Sequence, residues 1–180
     1  MMENISRRNF MKGVGAMALA TAATGLLGGC GDSSLIVNVS GLNEVAELKG
    51  VKMTVRKLSY GAYADGTYYF VPEVLVSNSG ATGVPVKPTE GSFEIWLNGS
   101  NRLTINAETM ARLDNSKDLT KMSTRTLSRG QQEKGCLCAK GEGASSFDYV
   151  YVIFYPNPDD KLTALRCRIS SKDAKLMLGI

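Results

Sequence analysis

The sequence predicts an all-β protein, folded as an antiparallel sandwich, on three observations. Apolar and polar residues alternate with a period of two over several stretches, the pattern of strands with one buried face. These stretches are rich in Val, Ile, Phe and Tyr, the residues that suit a pleated surface. Turn chemistry separates them at short intervals: Ala64-Asp65-Gly66, Asn78-Ser79-Gly80, Asn98-Gly99, Arg129-Gly130 and Pro156-Asn157-Pro158. Many short strands so punctuated fit a sandwich better than a layered α/β protein.

The first thirty residues stand apart from that fold. A basic front (Ser6, Arg7, Arg8, Phe10, Lys12) precedes an uncharged run from 13 to 29, which ends in Leu27-Gly28-Gly29-Cys30. The run is too weakly apolar for a stable membrane span, which needs about 20 strongly apolar residues. The paired arginines before Phe10 resemble a twin-arginine export signal, and Leu27 to Cys30 resembles a lipobox. The resemblance implies export of a folded chain, cleavage before Cys30 and acylation of that cysteine. The expected domains are therefore a signal peptide over 1–29, a lipidated cysteine and short tether over 30–34, and one β-sandwich domain over 35–180. The expected location is the extracytoplasmic face of the cell membrane.

Within the body, the first strand is predicted at 35–39 and the second at 51–56, where Val51, Met53 and Val55 alternate with Lys52, Thr54 and Arg56. A longer strand covers 67–78, with Phe70, Val74 and Val76 on one face and Glu73 and Ser77 on the other. At 93–97, Phe93, Ile95 and Leu97 take the apolar phase. Trp96 falls on the polar phase and is the best candidate for an exposed contact residue. Further strands are predicted at 103–105, 124–127, 135–140, 147–155 and 162–169. Helix is expected only as a turn or two at 43–49 and 108–113. The polar stretch 106–122 is long for a connection and is the expected place for a functional loop or a mobile one. Tyr149, Tyr151 and Tyr155 share one phase of their strand, and Tyr60, Tyr63, Tyr68 and Tyr69 flank the 64–66 turn; such clusters build cores and cross-strand pairs, or bind glycans and peptides.

The order of the pieces carries a second resemblance. A strand at 51–58 is followed by one at 69–78 ending in Asn-Ser-Gly, then Val84-Pro85-Val86, then 92–97 before Asn98-Gly99. Later come Leu127-Ser128-Arg129-Gly130, Gly135-Cys136-Leu137, and a strand closing on Phe154-Tyr155-Pro156. This arrangement resembles the immunoglobulin-like (telokin-like) domain of bacterial lipoproteins of unknown function. It implies a sandwich and brings no activity with it, because the fold hosts many roles.

The chemistry is narrow. The chain of 180 residues contains no histidine, which removes Ser-His-Asp and Cys-His catalysis and most zinc enzymes from consideration. Its 21 basic and 17 acidic side chains give +4; taking away Arg7, Arg8, Lys12 and Glu3 with the signal leaves +2, so no nucleic-acid footprint is expected. No phosphate loop, metal site or cofactor cradle is expected: Gly141-Glu142-Gly143 reads as a turn, and Asp159-Asp160 as a solvated one. Besides Cys30 there are Cys136, Cys138 and Cys167. Cys136 and Cys138 lie two apart on a predicted strand and so share a face; Cys167 is on an apolar phase. A disulfide from Cys136 or Cys138 to Cys167 would close about 30 residues and stabilise by ~3 kcal/mol. A Cys136–Cys138 bridge, three free thiols, or a soft-metal site with a methionine are the alternatives.

The expected function is a non-enzymatic interaction or accessory domain, held on a membrane through lipid on Cys30 and working through a protein partner not named by the sequence. The alternatives are a thiol redox or soft-metal-handling lipoprotein using Cys136, Cys138 and Cys167, and a binder of cell-wall glycan or a small ligand.

Overall fold

The computed structural model describes residues 34–62, 66–142 and 146–177. The signal-motif residues Ser6, Arg7, Arg8, Phe10 and Lys12, and the lipobox Cys30, lie outside them, as do Tyr63, Ala64 and Asp65. Among the described residues, thirteen strands follow one another: β1 Leu35–Ser40, β2 Val45–Leu48, β3 Val51–Ala62, β4 Thr67–Asn78, β5 Val84–Val86, β6 Phe93–Leu97, β7 Asn101–Arg102, β8 Arg125–Leu127, β9 Gln132–Cys136, β10 Ala139–Glu142, β11 Tyr149–Phe154, β12 Thr163–Ser170 and β13 Lys175–Leu176. A single α-helix among the described residues, α1 (Ala107–Ala111), runs into a 3-10 turn at Arg112–Asn115.

These strands form a β-sandwich. Sheet A has the order β1-β12-β11-β6-β7. In sheet B, β3 and β4 lie at the centre; β2 and β13 pair with β3, and β9 and β10 pair with β4. Pairing is antiparallel except at two places, where β1 runs parallel to β12 and β13 parallel to β3. The predicted alternation places the core. Met53, Val55, Phe70, Val74 and Val76 from sheet B meet Phe93, Ile95, Val150, Val152, Leu165 and Ile169 from sheet A, all buried. A short β5–β8 ribbon closes one end, where the buried Asn78 donates to the carbonyls of Thr82 and Leu127.

Two irregularities in sheet B explain how a proline fits a central strand, where it normally weakens the ladder. On one side of β4, the β3 register shifts between Val55 and Lys57, and Arg56 and Lys57 are both exposed, as at a β-bulge. On the other side, β9 and β10 keep a single register along β4 (Cys136 opposite Glu73, Ala139 opposite Phe70) but are interrupted at 137–138. Leu137 donates to the Pro72 carbonyl at 3.0 Å; Pro72 has no N–H to return, so the ladder loses one bond there.

The expected helical turn at 43–49 is instead strand β2. Asn43 (φ 66°) and Lys49 (φ 50°) are left-handed at its ends, so the chain turns sharply at both and lays Ala46 opposite Met53 in the buried core. The predicted 103–105 strand is displaced to β7, and Thr104 alone bridges to Lys140 across the gap between the sheets. The stretch 106–122 is a packed cover and not an open loop. Asn106 and Thr109 cap α1 reciprocally, Met110, Leu113 and Met122 are buried, and Thr120 to Met122 bonds to Cys136 along the open edge of β9.

Candidate functional site

The outer face of sheet A gathers aromatic, cationic, acidic and polar side chains from all five strands. The pairing registers put Ser40, Arg168, Tyr151, Trp96 and Arg102 in one row across the five strands. Asn38, Arg166, Ile153 and Glu94 form the next row. Below them, Tyr155 and Ala164 join Ile153 in an apolar floor against which Trp96 and Tyr151 pack.

Local turns fix the aromatic side chains. Asn98 and Gly99 both take positive φ (49° and 74°) at the centre of a turn closed by the Ser100 amide on the Leu97 carbonyl at 3.1 Å, and with Ser100 they join β6 to β7. Asn98 Oδ1 accepts from the Asp148 and Tyr149 amides at 2.9 and 3.3 Å, tying this hairpin to the start of β11. A Cβ on Gly99 would lie 3.1 Å from the Tyr149 hydroxyl, so the bare backbone there is the seat on which Tyr149 and Tyr151 rest. The two rings meet edge to face at 5.1 Å. The Arg166 guanidinium stands 4.6 Å over Tyr151, and that of Arg168 stands 4.1 Å over Tyr149.

Glu94 organises the other half. It is 6% exposed although it lies on the outward phase of β6. Trp96 Nε1 and the Tyr155 hydroxyl donate to its Oε2 at 3.0 and 3.1 Å, Lys161 bonds its Oε1, and Arg102 lies 3.2 Å away. Burial pushes its pKa up, but the hydrogen bonds from Lys161 and Trp96 and the Arg102 charge outweigh that and hold it below the usual value. The same burial, with the Glu94 charge, pushes Tyr155 up to about 12. Trp96 is therefore half-buried and hydrogen-bonded, and not the exposed residue its phase predicts.

The cysteines are elsewhere. Cys136, Cys138 and Cys167 are all free and buried. Cys136 and Cys138 do share a face, as expected, but it is the outer face of sheet B, on the phase of Lys134 and Glu73, roofed by the α1 segment. Met110 Sδ accepts from the Cys138 amide at 3.3 Å. Cys167 points between the sheets and donates to the Gly41 carbonyl at 3.3 Å. Sheet B thus stands between Cys167 and the other two, and the disulfide expected to Cys167 is not the arrangement found. Burial pushes the thiols up, Cys136 to about 11 and Cys138 and Cys167 to about 12, away from the range of reactive thiolates. No group of three or more carboxylate, cysteine or histidine ligands gathers among the described residues.

Sequence reasoning singled out Trp96 and the tyrosines of β11 and missed Glu94, Arg102, Lys161, Arg166 and Arg168. The signal was present as the polar phase of 162–169. It acquires meaning only when the register sets those arginines beside Tyr149 and Tyr151.

No protein family and no curated protein matches this sequence. Among solved structures, the chain is similar to ycdA from Bacillus subtilis subsp. subtilis str. 168, a candidate lipoprotein, at 14% identity and a TM-score of 0.52. The match covers 72% of this chain and 39% of that one, so this chain spans well under half of the ycdA structure. The yjhA protein from Bacillus subtilis aligns at 13% identity and a TM-score of 0.48, over 73% of this chain and all of that one. An uncharacterised β-sandwich protein from Clostridium difficile 630 aligns at 9% identity and a TM-score of 0.43, over 73% and 93% of the two chains. The likeness to ycdA concerns the fold alone. Fold and site together define a β-sandwich protein with a built aromatic–arginine face.

Proposed function

We propose that this chain is a lipid-anchored, extracytoplasmic and non-enzymatic interaction domain, exported through the twin-arginine signal around Arg7 and Arg8 and tethered through acyl chains on Cys30. The observation that carries the interaction reading is the Arg168–Tyr151–Trp96–Arg102 row. Trp, Tyr and Arg are the side chains on which binding energy concentrates at protein interfaces, and here they stand together on one face of sheet A.

The anchor reading has its own support. Of the large apolar side chains exposed among the described residues, Leu35, Ile36 and Leu162 (41%, 41% and 46% exposed) all lie at the start of β1 and β12, where the Leu35 amide bonds the Leu162 carbonyl and Ile36 follows on the opposite face of β1. That corner is where the chain enters the domain. Five residue steps from Cys30 reach at most about 18 Å, so a lipid on Cys30 would hold this apolar corner near the bilayer. The similarity to ycdA, a candidate lipoprotein, agrees with this. No helix among the described residues is long and apolar enough to cross a membrane. The raised thiol pKa values give the redox reading no support, and arginines already occupy one face of Tyr149 and of Tyr151 where a sugar ring would stack.

The test is intact mass of the protein extracted from membranes, together with cross-linking in cells. Loss of residues 1–29 with acyl mass on Cys30, and a discrete cross-linked protein partner, are the expected results. An uncleaved or unacylated chain would remove the anchor. A purified protein that turns over a substrate and cross-links to nothing would remove the interaction role.

A further inference from the structure

The outer face of sheet A is electrostatically lopsided. Toward β7, Glu94 is already engaged by Lys161 and Arg102. On β12, Arg166 and Arg168 have no carboxylate partner among the described residues; each is held by a tyrosine ring beneath it, and Arg166 also by Nε–H to Asn38 Oδ1. Two guanidinium groups are thus fixed in position with their charge unanswered. We infer that this face docks an acidic protein segment, an extended stretch of a partner chain whose carboxylates pair with Arg166 and Arg168 while its body lies over Tyr149, Tyr151 and Trp96.

Three features of the face fit that occupant. Arg166 and Arg168 are two residues apart on one strand, so their Cα atoms are spaced by about 7 Å, the same repeat at which an extended peptide presents alternate side chains. Stacking on tyrosine fixes the guanidinium planes in advance, so less side-chain entropy is lost on binding, and it leaves terminal N–H groups for bidentate carboxylate bonds. The Asn38 bond consumes only the Arg166 Nε–H. Finally, the aromatic floor and the small net charge of the chain, +4 over all 180 residues, suit a local acidic segment. A nucleic acid or an anionic membrane would be drawn by a broad positive field that this chain lacks.

The inference rests on the interaction reading above, and the experiment separates the two. Full-length protein in detergent is titrated against a fluorescein-labelled peptide of alternating Glu and Thr, read by anisotropy. Binding is expected, with at least about a tenfold loss in R166Q/R168Q, a smaller loss in R168Q alone and no change in K52Q. R168Q alters a single exposed side chain, so it keeps the test open if the double variant folds poorly. No binding, binding indifferent to both arginine variants, or equal binding of a Lys-Thr peptide would overturn the inference. Stronger displacement of the peptide by phosphatidylglycerol vesicles or by single-stranded DNA would overturn it in favour of those occupants. In cells, a photo-cross-linking residue is placed at Ser40, beside Arg168, or at Lys52, on the outer face of sheet B. Adducts at Ser40 that disappear with R166Q/R168Q are expected. Adducts from Lys52 alone overturn this surface and leave the interaction reading standing; adducts from neither overturn both.

Discussion

At the scale of single residues, Glu94 is the side chain whose neighbours make the strongest prediction. A carboxylate that is 6% exposed holds two cations, an indole N–H and a phenol. Glu94→Gln keeps the shape and removes the charge. Hydrogen bonds to a charged acceptor contribute about 1.5–3 kcal/mol each when fully buried. Lys161 and Arg102 are 44% and 54% exposed, so water compensates part of the loss, and the expected cost is about 1–2 kcal/mol. The pH dependence follows from the direction of the shift. Unfolded, Glu94 ionises near 4.5; folded, it ionises lower. The folded state therefore binds fewer protons, and the contribution is complete above 4.5 and is lost as pH falls through the folded value. Denaturant titrations should show a constant gap between wild type and Glu94→Gln at neutral pH and a narrowing gap in acid. A gap that stays unchanged below 4.5 would mean that Glu94 is not the group being titrated.

The same residue shows what a sequence can and cannot convey. Alternation placed Phe93, Ile95 and Leu97 inward correctly, and by the same logic put Glu94 and Trp96 outward, where they are. Alternation says nothing about what lies beside an outward residue. Lys161 reaches Glu94 from 67 residues away, and Arg102 from the neighbouring strand β7, which the sequence misplaces, so its burial could not be seen until the strands were in register.

At the scale of elements, the long alternating runs were legible because a half-buried strand writes its period directly. β3, β4, β6, β11 and β12 all fall where the pattern put them, within a residue or two except at the C-terminal end of β3. The misreadings occurred where another rule dominated. β2 looked like a helical turn because it is short and mixed, and left-handed residues at its ends decide otherwise. The predicted 135–140 strand is two strands along one register, because a proline on the neighbouring β4 removes a bond between them. Gly135 marks a further tertiary constraint. A Cβ there would lie 2.4 Å from Met122 Cα and 2.6 Å from its N, so the 120–122 segment can seal the edge of β9 only against a bare backbone. The obstruction is backbone and cannot swing aside. Gly135→Ala should therefore cost more than about 2 kcal/mol, the upper part of the usual range for overpacking, and loosen the α1 segment. Gly130→Ala is the contrast: nothing lies within 4 Å of its added Cβ, and only its left-handed φ of 82° opposes the change. Equal midpoint shifts for the two variants would show that the Met122 contact is not a constraint.

At the scale of the whole molecule, the three buried thiols report on two different openings. Cys136 and Cys138 are covered by the α1 segment, a five-residue helix and a 3-10 turn that cannot hold helical structure alone. It is held by the capping box at Asn106 and Thr109, the burial of Met110, Leu113 and Met122, Arg112 over Tyr69, the backbone bonds of Thr120 and Met122 to Cys136, and the Cys138 amide on Met110 Sδ. Lifting it leaves both sheets paired. Cys167 lies inside the sandwich, and reaching it requires the sheets to part or β1 to leave β12, to which it is joined over six paired residues. Segments with small contact areas open at lower free energy than the global transition, and with a weaker dependence on denaturant. With thiol pKa values of about 11 and 12, burial suppresses labelling of the closed state at neutral pH, so the labelling rate measures opening. Peptide mapping after a timed exposure to an alkylating reagent should find Cys136 and Cys138 modified before Cys167. Low denaturant should leave the first two rates nearly unchanged and accelerate the third steeply. If all three are modified together with one denaturant dependence, the α1 segment is an integral part of the sandwich and opens only with it.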